Sequence, residues 1–441
     1  MLDMSRRKLM GAVLAVGAAG VVPFAVKASN EIPAKWDQTV DLLVVGTGFA
    51  GLACALEAHQ LGINVLAVDK MATAGGNSII NGGAVSAAGT DMQKAAGIKD
   101  SAELLFKDIM RAGGYINHPD LAKLIADNSL ENYLWLKNKI GVDFVSVYYH
   151  GGHSVKRSHG VREHTGAGFI NPMLKKCKEY KIPIQLRTKV EEFVVDASGR
   201  VIGVKARRNY RFGKESSGRV EYIRANKGVV LCSGGFSQNV AMRMSHDPRL
   251  TGNFGSTNHP GATGEMIQAA QMIGANTVQM DWIQLGPWTS PDERGFGTAP
   301  LFIEPLVGFG VMVDPATGKR FVKETGNRKV RADAIVALGH PALLYVAEEN
   351  FRNQIPKNMT ATQIDSLLSN KVVRKFNTLK ELADFYKIPF AALFFAATLI
   401  SPALHALNIP DYRFHTMPET SYYGGIHSIA KDSVGRMWFS G

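Results

Sequence analysis

Gly46, Gly48 and Gly51 stand in the spacing G-x-G-x-x-G directly after an apolar run, residues 42–45, and a second apolar run ends at Asp69. Glycine at the first position permits a tight turn. At the second it leaves room for a pyrophosphate, and at the third it lets a helix pack close to a strand. The N-terminus of that helix attracts phosphate charge. A carboxylate at Asp69 stands where it can accept hydrogen bonds from a ribose. The chemistry implied is binding of a dinucleotide; the alternative is a Rossmann-like unit that binds nothing. The bare glycine spacing is weak evidence in a chain with 45 glycines. Its setting of strand, turn, helix, strand and acid makes it specific.

The elements that must position these residues follow from hydrophobic period and turn signals. Residues 39–70 read as a βαβ unit. The stretch 74–90 is rich in glycine and alanine and too small to build a core alone. Helical patterns follow at 101–112, 119–139 and 166–180. Residues 188–207 read as two strands around a turn at Ser198 and Gly199, and 228–232 as a short buried strand ahead of Ser233, Gly234 and Gly235. An amphipathic helix is expected over 263–274. From residue 286 proline, glycine, tryptophan and charged residues mix, and helical patterns then run to 405.

At 441 residues, 46% hydrophobic and 20% charged, the chain holds two domains with full-sized cores. Cys54, Cys177 and Cys232 are isolated, which argues against zinc, iron–sulfur and haem attachment and against a disulfide framework. No metal site is expected. Arg6, Arg7 and Lys8 precede an apolar, small-residue run over 11–26, with Ala28 as a plausible cleavage site. The run is too short and glycine-rich for a comfortable membrane span. The arginine pair resembles a twin-arginine export signal, implying a signal peptide over 1–28 and a periplasmic protein. An ordinary secretory signal or an uncleaved anchor is the alternative. Net charge is +12, of which this segment carries +3, leaving +9. A basic surface suits anionic substrates or an acidic electron donor. Nucleic acid suits it less, because the basic residues are dispersed without interleaved aromatics.

Five segments, in this order, are similar to the soluble fumarate reductase group of the succinate dehydrogenase/fumarate reductase flavoprotein superfamily, the flavocytochrome c type: GTGFAG (46–51), GGNSIINGGAVSAAGT (75–90), VVLCSGGFSQN (229–239), TNHPGATGEMIQAA (257–270) and GKRFVKETGNR (318–328). The resemblance covers residues 40–430. It implies an α/β fold, with a Rossmann-like FAD-binding domain over 37–285, an inserted α+β capping domain over 286–405, and a return to the FAD-binding domain over 406–441. It makes the dinucleotide FAD, bound by Gly46, Gly48, Ala50, Gly51, Asp69, Lys70, Gly75, Gly76, Asn77, Ser78, Gly82, Gly83, Val190, Ser233, Gly234, Gly235 and Glu265. In this assignment Val190 meets the adenine side and Glu265 lies near the ribityl chain. Residues 71–90 contain no histidine, so the FAD is expected to be non-covalent.

The activity implied is reduction of an activated C=C bond: hydride passes from flavin N5 to one carbon and an arginine protonates the next. The motif match makes Arg328 that acid, Glu304 its relay carboxylate and His415 a substrate ligand. Several positions depart from the family. Gly286 stands where fumarate-reducing relatives have a histidine, Ile303 replaces a threonine and Val307 a second relay arginine. These swaps remove polar groups that would clamp a small dicarboxylate, so a substrate with a bulkier or less polar end than fumarate is expected: an aryl- or alkyl-acrylate or another enoate. Trp282, Trp288 and Phe302 are candidate pocket residues. The loop 150–160, with His150, His153, Arg157 and His159, matches a family loop near the flavin. Relatives continue past the strand matched by GRMWFSG, so the chain reads as cut short at Gly441. No haem or second flavin domain is visible, which implies a separate electron donor such as a cytochrome or a flavin-bearing protein. Tyr422 and Tyr423, beside an interrupted H-T-M-G-G motif, leave a 3-ketosteroid-type dehydrogenase as a rival, and a non-catalytic flavin-binding fragment as a second.

Overall fold

A computed structural model describes residues 32–150, 152–286, 290–293, 299–325, 328–355, 360–398, 428–431 and 437–440. The chain divides into two compact units: residues up to 297 together with 327–329, and 298–326 together with 330 onwards.

The first unit is built on a six-stranded sheet in the order β6-β2-β1-β9-β8-β7. Its strands are β1 (Gln38–Val45), β2 (Val65–Val68), β6 (Ile184–Gln185), β7 (Thr188–Val195), β8 (Val201–Arg208) and β9 (Arg219–Leu231). β2 and β9 run parallel to β1 on either side of it, while β7, β8 and β9 form an antiparallel meander. Alternation sorts the side chains of β1 to two cores. Val44 packs with helix α1 (Phe49–Gln60) and with Phe169, Ile170 and Met173 of the helix Ala167–Glu179. Leu43 and Val45 pack on the other face with Val190, Phe193, Met266 and Ala269. All four residues of β2 are buried, as a strand covered by helices on both faces requires. A three-stranded antiparallel sheet, β3 (Ala84–Ser86), β5 (Ser158–Val161) and β4 (Phe144–Tyr148), lies beside it in sequence.

Two elements differ from the sequence expectation. The helical pattern over 119–139 is interrupted at Asn128, whose side chain bonds back to the Leu124 carbonyl at 2.9 Å. The chain there forms the helix Pro119–Asp127, the helix Ser129–Leu134 and a π-helical turn Trp135–Ile140 that ends at Gly141. The short buried strand expected at 228–232 is instead the last part of β9 and is half-exposed, with Leu231 at 39%. Its physical reason is pairing: β8 accompanies β9 only as far as Arg224, so beyond it β9 has β1 alone as a neighbour.

The second unit is helical with small sheets. β10 (Gly310–Val313) pairs with β11 (Leu343–Val346) over a core of Val311, Val313, Ala383, Leu393 and Ala396. Helix Ala299–Leu306 buries Phe302 and Leu306 against Ile355 and Leu367. β12 (Ser428–Lys431) and β13 (Met437–Ser440) form a hairpin pairing. Among the described residues no helix is long and apolar enough to cross a membrane.

Candidate active site

The turn from β1 into α1 is dictated by contacts that only glycine permits. Gly46 has φ +108°, and a Cβ on it would sit 2.2 Å from the Cys232 carbonyl oxygen at the end of β9. A Cβ on Gly51 would sit 1.9 Å from the Gly46 carbonyl oxygen, so α1 approaches the turn as closely as backbone allows. At Gly48 the nearest atom to such a Cβ is Ser78 Oγ, at 2.9 Å. The first turn of α1 carries no acidic residue and no side-chain cap. Its positive end therefore keeps its attraction for an anion.

Residues 75–83 fold against this turn. The Gly75 N–H donates to the Thr47 carbonyl at 3.1 Å, and the Phe49 N–H donates to Ser78 Oγ at 3.0 Å. Asn77 Oδ1 accepts the His259 N–H, tying in the 257–270 motif. Asn81 closes the far side: its Nδ2 donates to the Ser78 carbonyl, its Oδ1 accepts the Gly83 N–H, and its carbonyl accepts the Gly166 N–H at 2.9 Å. Gly83 lies against the Thr165 backbone, where a Cβ would have no room. Ala50, Gly82, Ser233, Gly234 and Gly235 are exposed, and a Cβ on Gly82, Gly234 or Gly235 would meet nothing within 4 Å. The structure thus brings together 46–51, 75–78 and 232–235 at the carboxyl ends of β1 and β9. Small exposed residues beside a helix N-terminus fit a pyrophosphate.

Asp69 ends β2 with its carboxylate already oriented. Oδ2 accepts the Thr47 N–H at 3.0 Å and the Thr47 hydroxyl at 2.6 Å, and Oδ1 accepts the Met71 N–H at 2.9 Å. Thr47 is fully buried. Next to Asp69, Lys70 Nζ donates to Thr263 Oγ1 at 2.6 Å and to Glu265 Oε2 at 2.7 Å. Lys189 pairs with Glu265 Oε1 at 3.5 Å and with Glu215, and its ammonium lies 5.1 Å from the Tyr210 ring centroid. Burial, then the Glu215 carboxylate, push the Tyr210 hydroxyl pKa well up. Val190 follows Lys189 on β7 and is buried. Glu265 therefore sits between Lys70, the neighbour of Asp69, and Lys189. Thr47, Asn81, Lys189 and Cys232 take part in this site without having been singled out from the sequence. Thr47 and Cys232 lie inside quoted motifs; Lys189 carries no motif signal.

The residues proposed for chemistry fall in both units. Arg328 is exposed and opens the helix Arg328–Leu338; residues 328–329 group with the first unit. Glu304 is exposed on the helix Ala299–Leu306 of the second unit. His415 and Trp288 lie outside the described residues. Phe302 is 7% exposed inside a core cluster, so it packs the core of the second unit. Trp282 is exposed, with Lys329 Nζ 5.5 Å from its ring centroid. Within the 318–328 motif, Glu324 is a buried brace: Arg320 pairs with it, the Met312 N–H donates to it, and Arg331 donates to its carbonyl.

Two side chains of the loop 150–160 are built into the core of the first unit. Arg157 is fully buried and holds Asp100 and Asp108. His159, also buried, shares a 2.8 Å hydrogen bond with Thr90 and packs on the Tyr133 and Phe144 rings. Burial, the largest influence, pushes its pKa down. Among the described residues no group of three or more His, Cys, Asp or Glu is placed to hold a metal.

Comparison with known proteins now bears on the site. A family model described as "FAD binding domain" matches residues 41–409. The acrylate reductase flavoprotein subunit of Shewanella woodyi is 37% identical over 400 residues, covering 88% of this chain and 77% of that protein. The NADH:fumarate oxidoreductase of Klebsiella pneumoniae is 33% identical over 364 residues, covering 82% of this chain but 37% of the relative. Among solved structures, the open conformation of a flavocytochrome c3 fumarate reductase superposes with a TM-score of 0.68 at 27% identity, covering 92% of this chain and 65% of that one. The chain thus spans most of the first relative and about a third and two thirds of the other two.

Proposed function

The chain belongs to the FAD-binding family of the acrylate and fumarate reductase flavoproteins, and from that premise we propose that it reduces the C=C bond of an acrylate-type enoate, with Arg328 as the acid. When bound, FAD supplies the hydride that adds to one alkene carbon. The turn at 46–51 and the segment 75–78 hold the pyrophosphate, and Asp69, pre-oriented by Thr47, accepts from a ribose hydroxyl. Arg328 delivers a proton to the second alkene carbon. A guanidinium gives up its proton reluctantly, so Arg328 acts as an acid only if it is held against the substrate and reprotonated at once. Glu304 is the relay carboxylate and His415 a substrate ligand. The observation that carries this reading is the arginine at the end of the 318–328 motif, in a chain most of which aligns with an acrylate reductase flavoprotein subunit.

Gly286, Ile303 and Val307 support the choice of substrate. Each stands where fumarate-reducing relatives carry a polar group, and the loss of such groups weakens the clamp on a dicarboxylate, which an acrylate does not need. The cofactor is held without a covalent bond, since residues 71–90 offer no histidine. Electrons come from a separate redox protein, and the arginine pair near the N-terminus directs the chain to the periplasm.

The test is reduction by viologen-linked FAD-loaded protein over acrylate, branched acrylates, cinnamate, urocanate and fumarate. A lost hydrogen bond to a charged group is worth about 1.5–3 kcal/mol, so acrylates are expected to exceed fumarate in kcat/KM by about tenfold or more. Arg328→Ala is expected to abolish turnover while FAD stays bound. A preference for fumarate sinks the substrate reading, and intact turnover in Arg328→Ala sinks the acid assignment. Dehydrogenation of a 3-ketosteroid with an artificial acceptor, in place of any enoate reduction, would establish the rival activity. Acid precipitation that leaves flavin on the protein would refute non-covalent binding.

A further inference from the structure

We infer that Trp282 and Lys329 are positioning residues that hold Arg328 against the flavin-binding unit; this rests on the reading of Arg328 as the acid. Residues 328–329 group with the first unit, although the chain before 327 and after 329 belongs to the second. Within the first unit the Lys329 ammonium lies over the Trp282 ring, 5.5 Å from its centroid. Such a cation–π contact at an exposed site shifts an equilibrium by roughly two- to fivefold.

Trp282 is itself tied to the cofactor segment by a chain of contacts. Its neighbour Asp281 accepts a hydrogen bond at 3.0 Å from His246 Nδ1. The His246 ring packs 5.7 Å from that of Phe236, which directly follows Ser233, Gly234 and Gly235. Gly264, next to Glu265, backs onto Phe236 so closely that a Cβ there would sit 2.6 Å from the Phe236 Cβ. Asp247, one residue after His246, is held below the usual carboxylate range by Arg249 first, with Lys329 adding its charge. Lys329 thus lies over an aromatic face of the first unit, and its charge is felt by a carboxylate of the same unit.

The consequence falls on the residue before Lys329. Arg328 is the first residue of its helix, so fixing the next residue fixes where the guanidinium starts from. A proton donor displaced by about 1 Å loses on the order of a hundredfold in rate. Trp282 therefore acts on the chemical step through Lys329 and Arg328, and need not touch substrate.

The experiment uses the full FAD-loaded chain with acrylate as the probe substrate and reduced viologen as donor, and compares Trp282→Leu, Lys329→Met and Lys329→Arg. Backbone hydrogen exchange is read on peptides covering 328–335. The first two variants are expected to exchange about two- to fivefold faster there, with kcat reduced about fivefold or more and KM within about twofold. Lys329→Arg, which keeps the cation over the ring, restores both. Unchanged exchange in Trp282→Leu and Lys329→Met overturns the proposal whatever the activity. Faster exchange with unchanged kcat, in a protein that Arg328→Ala inactivates, also overturns it and leaves the acid assignment standing. Activity that survives Arg328→Ala removes the acid assignment instead, and the exchange result then stands alone.

Discussion

Arg157→Met should cost stability rather than chemistry. The guanidinium is fully buried. It donates to Asp100 twice, through Nε at 3.0 Å and Nη2 at 2.7 Å, and to Asp108 through Nη1 at 2.7 Å. The two carboxylates are 0% and 3% exposed. Methionine fills much of the same volume but leaves both acids without this cation. Asp108 keeps Arg111 and two bonds from Ser154, whereas among the described residues Asp100 keeps the Gln93 amide at 2.8 Å within the core and the Ser101 N–H at its edge. Removing one member of a buried ion pair costs about 3–5 kcal/mol, against a typical total of about 5–15 kcal/mol. For a unit of this size each kcal/mol lowers Tm by roughly 2–4 °C, so a fall of about 6–20 °C is expected. Circular dichroism melts at fixed FAD concentration measure it, because bound ligand raises Tm by itself. Adding Asp100→Asn should recover a large part of the loss, since the acid left bare is then neutral. Wild-type melting combined with lost FAD affinity would refute this reasoning and return the 150–160 loop to the flavin, where the family resemblance places it.

Three further outcomes follow from the site. Gly51→Ala puts a methyl 1.9 Å from the Gly46 carbonyl, so α1 must back away from the turn; overpacking of this kind costs about 1–3 kcal/mol, and flavin fluorescence titration should show FAD binding largely lost. Glu265→Gln removes the anion between Lys70 and Lys189; FAD affinity should fall about tenfold, or about 1.4 kcal/mol, and an unchanged Kd would remove Glu265 from the site. Asp91 is held at about 2, below its usual 3.8, by the Lys137 ammonium first and the Tyr133 hydroxyl next. A depressed carboxyl stabilises fully above its unfolded pKa and loses that contribution as pH falls through the folded one. Because Asp91 is more than half exposed, the contribution is under about 1 kcal/mol. Acid titration of stability should therefore fall more steeply between pH 3.8 and 2 in the wild type than in Asp91→Asn.

What was legible in the sequence divides by the kind of force involved. Steric requirements are local. Gly46 and Gly51 each face backbone that any β–turn–α unit would put there, so residue type and spacing sufficed to assign them. The sheet's double burial was legible for the same reason, in the unbroken apolar runs of β1 and β2. Charge pairing is not local. Lys70 stands beside Asp69 in sequence, yet its partner Glu265 lies 195 residues on, brought there only because the helix Glu265–Met272 covers the sheet. Arg157 and His159 have the residue types of an active-site loop, and nothing in their own neighbourhood announces Asp108, 49 residues earlier. Phe302 is ambiguous on the same ground: an aromatic side chain serves core and pocket equally, and the packing of Ile355 and Leu367 around it is what the sequence does not announce. Trp282 shows the converse. Its type suggested a pocket wall, but a lysine one residue from the candidate acid covers its ring, which gives it a reason to be there that substrate contact does not require. A charged residue in such a chain is therefore assigned by finding its counter-charge, and a glycine by finding the atom that excludes a side chain. Arg328 and Glu304 carry a chemical role by motif alone, so they are the assignments that mutagenesis must decide first.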